Sequence, residues 1–362
     1  MAPSSIYLID IPFLLAVMVA GWYCYVFGLA VLPGLPRAWR HVVRAVVAVF
    51  AVGGLAAKTV SPYLPGIAAW RPVTTVFLTG AAVLFYLALG LALVIAADFV
   101  WRRVERSRAP ESAPGLSAAL PPAGQPGRRT SVWRIAVGAV VAVSVGLTAY
   151  GSYAFRHPVT TEVTVAKADL PVAFAGFRIA LVTDIHVGPV TGAAEVRALV
   201  GRVNAAQPDL VVIAGDTVSG PARQLCSELA ALADLEAPEG VVITTGNHEF
   251  RFGVDEWLEC FAGLGLRVLD NAVMRIERRD ETIDVIGVND RQGSGAHAAN
   301  LPKAAAELSA SPRGPTAADG RFRLLVAHEP VQAKTDDGLP RALGVDVQLS
   351  GHTHGGQLWP LG

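Results

Sequence analysis

Five short segments in the C-terminal half of the chain carry histidine, carboxylate or amide side chains. They are Asp184-Ile185-His186, Gly215-Asp216, Gly246-Asn247-His248-Glu249, His328-Glu329 and Gly351-His352-Thr353-His354. Side chains two residues apart on an extended chain point the same way, so the first and last segments could each bind a metal ion. Imidazole nitrogen and carboxylate oxygen, without any thiolate, suit zinc, manganese or iron. The residue types therefore predict metal-dependent chemistry.

Each segment also has an ordinary structural interpretation when it is taken alone. A Gly-Asp pair after a strand is usually a turn, Asn247 could cap a helix, and His328 could be a loop histidine with its hydrogen bonds satisfied. Taken together, however, every segment follows an apolar run. The ordinary interpretation would then need five coincidences, so we favour a metal-dependent active site.

The elements that must position these segments are short β-branched runs that alternate with amphipathic stretches. The predicted strands are Phe177–Thr183, Leu210–Ala214, Val241–Thr245, Ile283–Val288, Phe322–Ala327 and Val345–Leu349. The predicted helices are Ala193–Ala206, Ala222–Leu235, Val254–Leu264 and Asn300–Ala310, and Met274–Val288 predicts a hairpin. This order indicates an α/β domain with mixed sheets covered by helices, where ligands bind at strand ends.

The N-terminal part of the chain has a different composition. Hydrophobic residues make up 52% of the 362 residues, and only seven of the 60 charged residues lie within residues 1–100. We predict a transmembrane region over residues 1–156, with a flexible linker at 101–134 and four helices at about 6–32, 42–57, 73–97 and 135–155. The second helix is short and contains Arg44, so whether it spans the membrane stays open.

The basic residues beside these helices indicate an orientation. Ten Lys or Arg residues lie in the first and third connections, against four in the second connection and after the fourth helix. Basic residues favour the cytoplasmic side. We therefore expect a multi-pass protein of the cell membrane, in contact with the lipid bilayer, whose soluble part at 157–362 is extracytoplasmic.

Charge and cysteine content exclude other classes of protein. The 30 Lys and Arg residues balance 30 Asp and Glu residues, so nucleic-acid binding is not expected. Three cysteines exclude a disulfide-dense scaffold and a CxxC zinc site. Cys24 lies in an apolar run, so only Cys226 and Cys260 could pair, and nothing in the sequence demands it.

The strings TDIHVGP, GNHEFRFG and SGHTHGGQ resemble the calcineurin-like metallophosphoesterase family, in its bacterial membrane-anchored branch. The resemblance covers about residues 170–362. It implies a sandwich of two mixed β-sheets flanked by helices, which agrees with the strand prediction. Members of the family ordinarily continue beyond the last motif with further strands, so we expect a C-terminally truncated domain with an open sheet edge.

The resemblance also implies roles for the residues of the five segments. Asp184, His186 and His354 would bind one divalent ion. A second ion (the pair being Mn, Zn or Fe) would bind to Asn247, His328 and His352, with Asp216 as the bridge between the two. His248 would be the catalytic residue over the substrate phosphate. Glu249 would either orient His248 or be a solvated residue at the start of a helix.

These roles indicate a hydrolase acting on a phosphomonoester or phosphodiester. Two ions would clamp the phosphate oxygens, and a metal-bridging hydroxide would attack phosphorus. A position beside the bilayer suggests a lipid-linked or envelope-derived phosphoester. Asp290 and Arg291 could reach the substrate, although a loop carboxylate and a surface arginine are the favoured interpretations. The alternatives are a non-catalytic membrane scaffold or sensor with a metal-stabilised domain, and a transporter-like protein, which the absence of paired charges in the apolar runs disfavours.

Overall fold

The computed structural model describes residues 36–108, 128–309, 321–332 and 343–354. The described residues fall into two compact units. The helical unit is drawn from Met1–Ser61 and Pro72–Thr160, and the sheet unit is drawn from Pro62–Arg71 and Thr161–Gly362. The predicted membrane helix at 6–32 lies outside the described residues.

Three helices, α1 at Arg37–Thr59, α2 at Ile67–Arg108 and α3 at Arg128–Arg156, precede the sheets. Within the described part of the chain, each is long and apolar enough to cross a membrane. This holds for α1 despite Arg44. Helices α2 and α3 extend into the predicted linker at 101–134, because arginine is a good helix former and an arginine-rich turn can continue a helix beyond the hydrocarbon.

The sheet unit contains two four-stranded sheets. The first sheet has the order β1 (Ile179–Val182), β2 (Leu210–Ala214), β3 (Val241–Thr244) and β4 (Arg267–Val268), with parallel pairing throughout. The second has the order β5 (Ala272–Arg278), β6 (Glu281–Val288), β7 (Phe322–Ala327) and β8 (Val347–Leu349). Its first pair is antiparallel and the other two pairs are parallel, so this sheet is mixed.

Helices cover the outer faces of the two sheets. They are α4 at Ala193–Ala205, α5 at Ala222–Leu225, α7 at Val254–Gly263 and α8 at Leu301–Ser309, while the short helix α6 at Asn247–Arg251 follows β3. The alternation of side chains along each strand divides the core into layers. Along β2, Leu210 and Val212 lie in the apolar cluster between the sheets, whereas Val211 and Ile213 lie in the cluster shared with the helices. The predicted two-sheet α/β sandwich is confirmed.

Four features of the sheet unit differ from the prediction or refine it. Strand β4 was not predicted, because a two-residue strand has no periodicity. The predicted helix Ala222–Leu235 is α5 followed by a 3-10 helix at Cys226–Asp234. The hairpin turns at Arg279 and Asp280, whose φ angles of 50° and 67° match the twist of the strands. Cys226 and Cys260, whose pairing the sequence left open, form a disulfide.

The segment Pro62–Arg71 also belongs to the sheet unit, although the sequence assigned it to the membrane region. It contains a 3-10 turn ending at Tyr63 and the first residues of α2. Ile67 is 1% exposed and lies in the same apolar cluster as Val187 and Leu225. The unit is therefore assembled from two stretches of chain.

Candidate metal centre

The predicted site residues lie just beyond the carboxyl ends of five strands. Asp184 follows β1, Asp216 follows β2, and Asn247 follows β3. His328 directly follows β7, and His352 and His354 follow β8. Because the carboxyl ends of parallel strands meet at one edge of a sheet, the fold brings these five segments together.

Asp184, His186 and His354 form the first group. The Nε2 atoms of the two histidines are 3.2 Å apart, and their rings are stacked at 4.9 Å. The nearer oxygen of Asp184 lies 3.4 Å from His354 Nε2 and 3.8 Å from His186 Nε2. The ligand atoms of all three residues lie within 4.8 Å of one another.

Asp216, His328 and His352 form the second group, which meets the same distance limit. Asp216 Oδ2 lies 3.3 Å from His328 Nε2, and His328 Nε2 lies 3.3 Å from His352 Nδ1. The side-chain oxygen of Asn247 is 3.2 Å from His352 Nδ1, which places it beside this group. Asp216 Oδ2 is also 3.6 Å from His186 Nε2, so the carboxylate stands between the two groups.

Both groups bring imidazole nitrogens and carboxylate oxygens within about 3–4 Å of one another, where a cation could bind them. His328 Nδ1 donates to the carbonyl oxygen of Ala214 at 2.7 Å, which leaves Nε2 to face Asp216 and His352. His186 Nδ1 contacts Ser219 Oγ at 3.0 Å and leaves Nε2 to face His354. Ligands about 2.0–2.2 Å from one ion stand about 3–4 Å apart, so both groups fit a divalent cation.

The charges in the second group shift the pKa values of its members. Burial lowers the pKa of His328, but the hydrogen bond and the charge of Asp216 outweigh it and raise the pKa to about 9. Burial would raise the pKa of Asp216, yet the hydrogen bond to His328 and the nearby histidines hold it well below its usual value. A protonated His328 thus compensates the buried carboxylate, which is the role a bound cation would take over.

His248 lies at the junction of the groups. One of its ring nitrogens falls within 4.8 Å of the ligand atoms of His186 and Asp216, and its ring meets that of His186 edge to face at 4.4 Å. Nδ1 donates to the carbonyl oxygen of Val218 at 2.9 Å. Since Nδ1 carries that proton, Nε2 is the atom left for an incoming ligand.

Ser219 is a contact that the sequence did not indicate. Its hydroxyl lies 3.0 Å from His186 Nδ1 and 3.1 Å from His248 Nδ1. The Ser219 side chain therefore helps to fix the ring orientations of His186, in the first group, and of His248. Serine is common in loops, so no sequence signal could have identified it.

Glu249 is fully buried. The interpretation of Glu249 as a solvated residue at the start of a helix is therefore wrong. Its carboxylate accepts hydrogen bonds from the backbone N–H groups of Asp216, Thr217 and Gly246, at 3.1, 2.8 and 2.7 Å. Burial, reinforced by the charge of Asp216, raises its pKa to about 7. Glu249 thus ties the Asp216 loop to the start of α6.

The backbone at the site is strained in a way that the sequence does not reveal. Asp184, His186, Asp216, His352 and His354 all have positive φ angles, between 49° and 69°. For residues other than glycine this left-handed region is uncommon, and it costs about 1 kcal/mol or more for each residue. Such conformations persist where the surrounding structure holds side chains in a required geometry.

Two glycines allow the chain to pass close to the carboxylates. A Cβ atom at Gly351 would collide with Thr183 Oγ1 and lie 2.5 Å from Asp184 Oδ2. At Gly246 it would collide with Asp216. Both glycines lie within the predicted motifs, and their role is to leave room beside the ligand oxygens.

Arg291 is a surface arginine and Asp290 is a loop carboxylate, as the favoured interpretation had them, but Asp290 is buried. Asp290 is 0% exposed, and its Oδ2 atom has no hydrogen-bond partner among the described residues. Burial raises its pKa to about 6. Arg291 is half exposed and pairs with Glu329 at 3.2 Å.

Comparisons with known proteins agree with this geometry. The family model described as calcineurin-like phosphoesterase matches residues 177–356. The transmembrane protein with metallophosphoesterase domain of Danio rerio is 32% identical over 238 residues, which cover 64% of this chain and 52% of that protein. The protein of the same description from Bos taurus is 33% identical over 219 residues, covering 58% and 47%.

A bacterial relative extends the comparison. The uncharacterized metallophosphoesterase YkuE of Bacillus subtilis (strain 168) is 27% identical over 223 residues, which cover 59% of this chain and 72% of that protein. The chain spans about half the length of the two vertebrate relatives. Through residues 177–356, which contain all five motif segments, the chain belongs to the calcineurin-like metallophosphoesterase family.

Proposed function

We propose that this chain is a membrane-anchored phosphoesterase that hydrolyses a phosphomonoester or phosphodiester with two divalent ions. The observation that carries the proposal is the convergence of two metal-binding groups on the shared carboxylate of Asp216, with His248 at their junction. A single structural metal site would need neither a second group nor a histidine between the two.

The proposed ligands divide as the family resemblance implies. Asp184, His186 and His354 would bind one ion, and Asn247, His328 and His352 would bind the other, with Asp216 shared. Bound divalent ions supply Lewis-acid stabilisation of the phosphoryl oxygens and a nucleophile from water at neutral pH. The neutral oxygen of Asn247 limits the negative charge that faces an anionic substrate.

His248 is the proposed catalytic residue. The hydrogen bond from Nδ1 to Val218 and the contact with Ser219 hold the ring in one orientation. Nε2 can then stabilise charge on the phosphoryl group or give a proton to the leaving oxygen. General acid catalysis of this kind contributes typically about 10²–10⁴-fold to a rate.

The test is an assay of the purified full chain, loaded with Mn²⁺, on p-nitrophenyl phosphate and bis-p-nitrophenyl phosphate. We expect metal-dependent turnover of at least one of them. The variant His248→Ala should lose about 10²–10⁴-fold in turnover while it keeps the metal content of the wild type. The exposed Arg197 provides a matched control, and Arg197→Ala should change neither quantity.

Two results would contradict the proposal. A chain that binds metal but turns over no phosphoester would favour the alternative of a metal-stabilised scaffold or sensor. Loss of metal in His248→Ala would make His248 a ligand rather than the residue over the substrate.

The extracytoplasmic location of the domain is also a proposal. It is supported by the distribution of basic residues along the membrane region and by the Cys226–Cys260 disulfide, since disulfides persist in oxidising compartments. A membrane-impermeant label applied to intact cells should modify an engineered cysteine at the exposed Arg197 position. Labelling only after the membrane is opened would place the domain in the cytoplasm.

A lipid-linked or envelope-derived phosphoester is the proposed substrate class, because the enzyme would be held beside the bilayer. A lipid phosphate ester presented in micelles and a soluble phosphate ester should be compared at equal bulk concentration. Preference for the micellar ester supports the proposal, and equal turnover of both esters contradicts it.

A further inference from the structure

The segment Pro62–Arg71, which we call the strap, contacts the loops that carry the candidate site. It lies far from the rest of the sheet unit along the chain, whose next residue is Thr161. Three of its side chains, Tyr63, Ile67 and Arg71, reach three different parts of the unit.

Arg71 contacts the loop that follows His186. Its Nε atom donates to the carbonyl oxygen of Gly188 at 2.9 Å, and Nη1 pairs with Glu228 at 3.2 Å. The same oxygen of Glu228 accepts a hydrogen bond from the backbone N–H of Ala193, at the start of α4. The guanidinium group therefore joins the Gly188 loop to α4 and to the helix that carries Glu228.

The Gly188 loop is in turn connected by short contacts to two site histidines, His186 and His248. Val187 pairs with the chain at Val218 as an isolated β-bridge, and the N–H of Ser219 donates to Val187 at 2.8 Å. Ser219 then contacts His186 and His248. A chain of short contacts thus runs from Arg71 to the ring nitrogens of two site residues.

Gly192 leaves the space that the guanidinium group occupies. A Cβ atom at Gly192 would collide with Arg71 Nη1 and lie 2.6 Å from its Cζ. The φ and ψ angles of Gly192 are −140° and −169°, which any residue can adopt. The position therefore needs glycine for the sake of Arg71 and not for the backbone.

The rest of the strap packs against residues that adjoin His186 and His248. Ile67 is buried in the apolar cluster that contains Val187 and Val218. Tyr63 packs on Phe252 with ring centroids 5.8 Å apart, and Phe252 meets the ring of His248 edge to face at 5.8 Å. The strap is thus in contact with the supports of both histidines.

We propose that the strap is a positioning element of the metal centre, and that Arg71 is its principal positioning residue. By fixing the Gly188 loop, Arg71 holds His186 and Ser219 in the geometry that the first group needs to bind its ion. The inference rests on the proposed function, because it assumes that the first group binds a divalent ion.

The topology is compatible with this role. The strap ends in the first residues of α2, and the rest of α2 and all of α3 lie between it and Thr161, so two crossings would return the chain to the same face of a membrane. If both helices span, the strap and the remainder of the sheet unit lie on the same face, as their contacts require.

The test is a calorimetric titration of the metal-free full chain, in detergent, with Mn²⁺ alone. Groups that orient a metal ligand typically change affinity by about 10–100-fold, and Arg71→Ala should weaken one Mn²⁺ site by about 10-fold. Arg71→Lys, which keeps the charge but not the forked geometry, should restore part of the affinity, and Arg197→Ala should match the wild type. An Arg71→Ala chain within twofold of the wild type at every site would overturn the proposal.

A second variant covers the case in which Arg71→Ala does not fold. Gly192→Ala should displace the guanidinium group and weaken the same site, with the folded domain retained. If Arg71→Ala does fold, the double variant should bind Mn²⁺ no more weakly than Arg71→Ala alone. Additive losses would mean that Gly192 acts independently of Arg71, and they would overturn the proposal.

The same titration separates this inference from the proposed function. A wild-type chain that binds Mn²⁺ without hydrolysing any phosphoester would contradict the proposed activity. A weakened site in Arg71→Ala would still support the proposed positioning role of the strap. Normal turnover together with an unchanged Mn²⁺ affinity in Arg71→Ala would contradict the strap proposal and leave the proposed activity standing. A wild-type chain that takes up no Mn²⁺ would overturn both.

Discussion

The two metal-binding groups contain similar residues in contrasting environments. In the first group, the side chains of His186 and His354 are 20% and 33% exposed. In the second group, those of His328 and Asp216 are 0% and 4% exposed. An ion in the second group would be held in part by two buried side chains, with His352 and Asn247 partly exposed, whereas both histidines of the first group are open to solvent.

This contrast indicates that the two groups of one site bind their ions with different strengths. The buried group is tied directly to the end of β2 by the hydrogen bond from His328 to Ala214. The open group depends on loop contacts through Ser219 and the Gly188 loop. We therefore expect the second group to bind its ion more tightly and the first group to exchange its ion more readily.

Asp216→Asn should have the largest effect, because Asp216 is the one carboxylate shared by both groups. The amide keeps an oxygen for the backbone N–H of His248 but removes the negative charge that faces His186 and His328. We expect both ions to be lost and turnover to fall by more than about 100-fold, beyond the range of groups that only orient ligands. Elemental analysis of the purified variant checks this, and retention of both ions would show that the groups are independent.

Glu249→Gln should have an intermediate effect, centred on the second group. An amide cannot accept all three of the backbone hydrogen bonds that the buried carboxylate now accepts, so a buried N–H group loses its partner. We expect a loss of about 1–3 kcal/mol in unfolding free energy. We also expect Mn²⁺ affinity to weaken by about 10-fold at the tighter site.

Urea unfolding and a Mn²⁺ titration would measure the two effects of Glu249→Gln. The exposed Glu256 offers a matched control, since Glu256→Gln removes a carboxylate of the same type from the surface. Weakening of the looser site instead of the tighter one would reverse the assignment of Glu249 to the second group.

His297→Gln should have the smallest effect and serves as a reference outside the metal centre. The His297 ring bridges Asp270 at 2.9 Å and Asp255 at 3.0 Å. Burial lowers the pKa of His297, but the hydrogen bonds and charges of the two carboxylates outweigh it and raise the pKa above its ordinary value. Stabilisation by the protonated ring is therefore full below about pH 6.5 and is lost as the pH rises through the folded-state pKa.

Thermal unfolding of the metal-free chain between pH 5.5 and 8.5 would measure this contribution. We expect His297→Gln to reduce stability by less than about 1 kcal/mol, since Asp255 is 84% exposed, and only at the acidic end of the range. Metal uptake should not change. A loss of metal in this variant would extend the metal centre beyond the two groups.

The same contrast shows which features could be predicted from the sequence. Residues that follow parallel strands, such as Asp184, Asp216 and His328, were identifiable because the strand pattern and the motif coincide locally. The burial of Glu249 and the bridging by Ser219 depend on loops from different strands, so no local pattern reports them. The left-handed backbone of the ligands is likewise imposed by the assembled site.

The strap was the hardest feature to predict. Its residues lie between two apolar stretches, and their composition is that of a short connection between membrane helices. Its contacts with the sheet unit join residues more than 100 positions apart along the chain, such as Arg71 and Gly188. The disulfide between Cys226 and Cys260 is another long-range pairing that spacing alone left undecided.

The most direct test is the number of Mn²⁺ ions bound per chain in the wild type, His328→Ala and His354→Ala, measured by calorimetry on the full chain. We predict two ions of unequal affinity in the wild type. His354→Ala should lose the weaker ion and keep the tighter one, whereas His328→Ala should lose the tighter one. A single ion in the wild type, or the same loss in both variants, would contradict the division of the site into a buried and an open half.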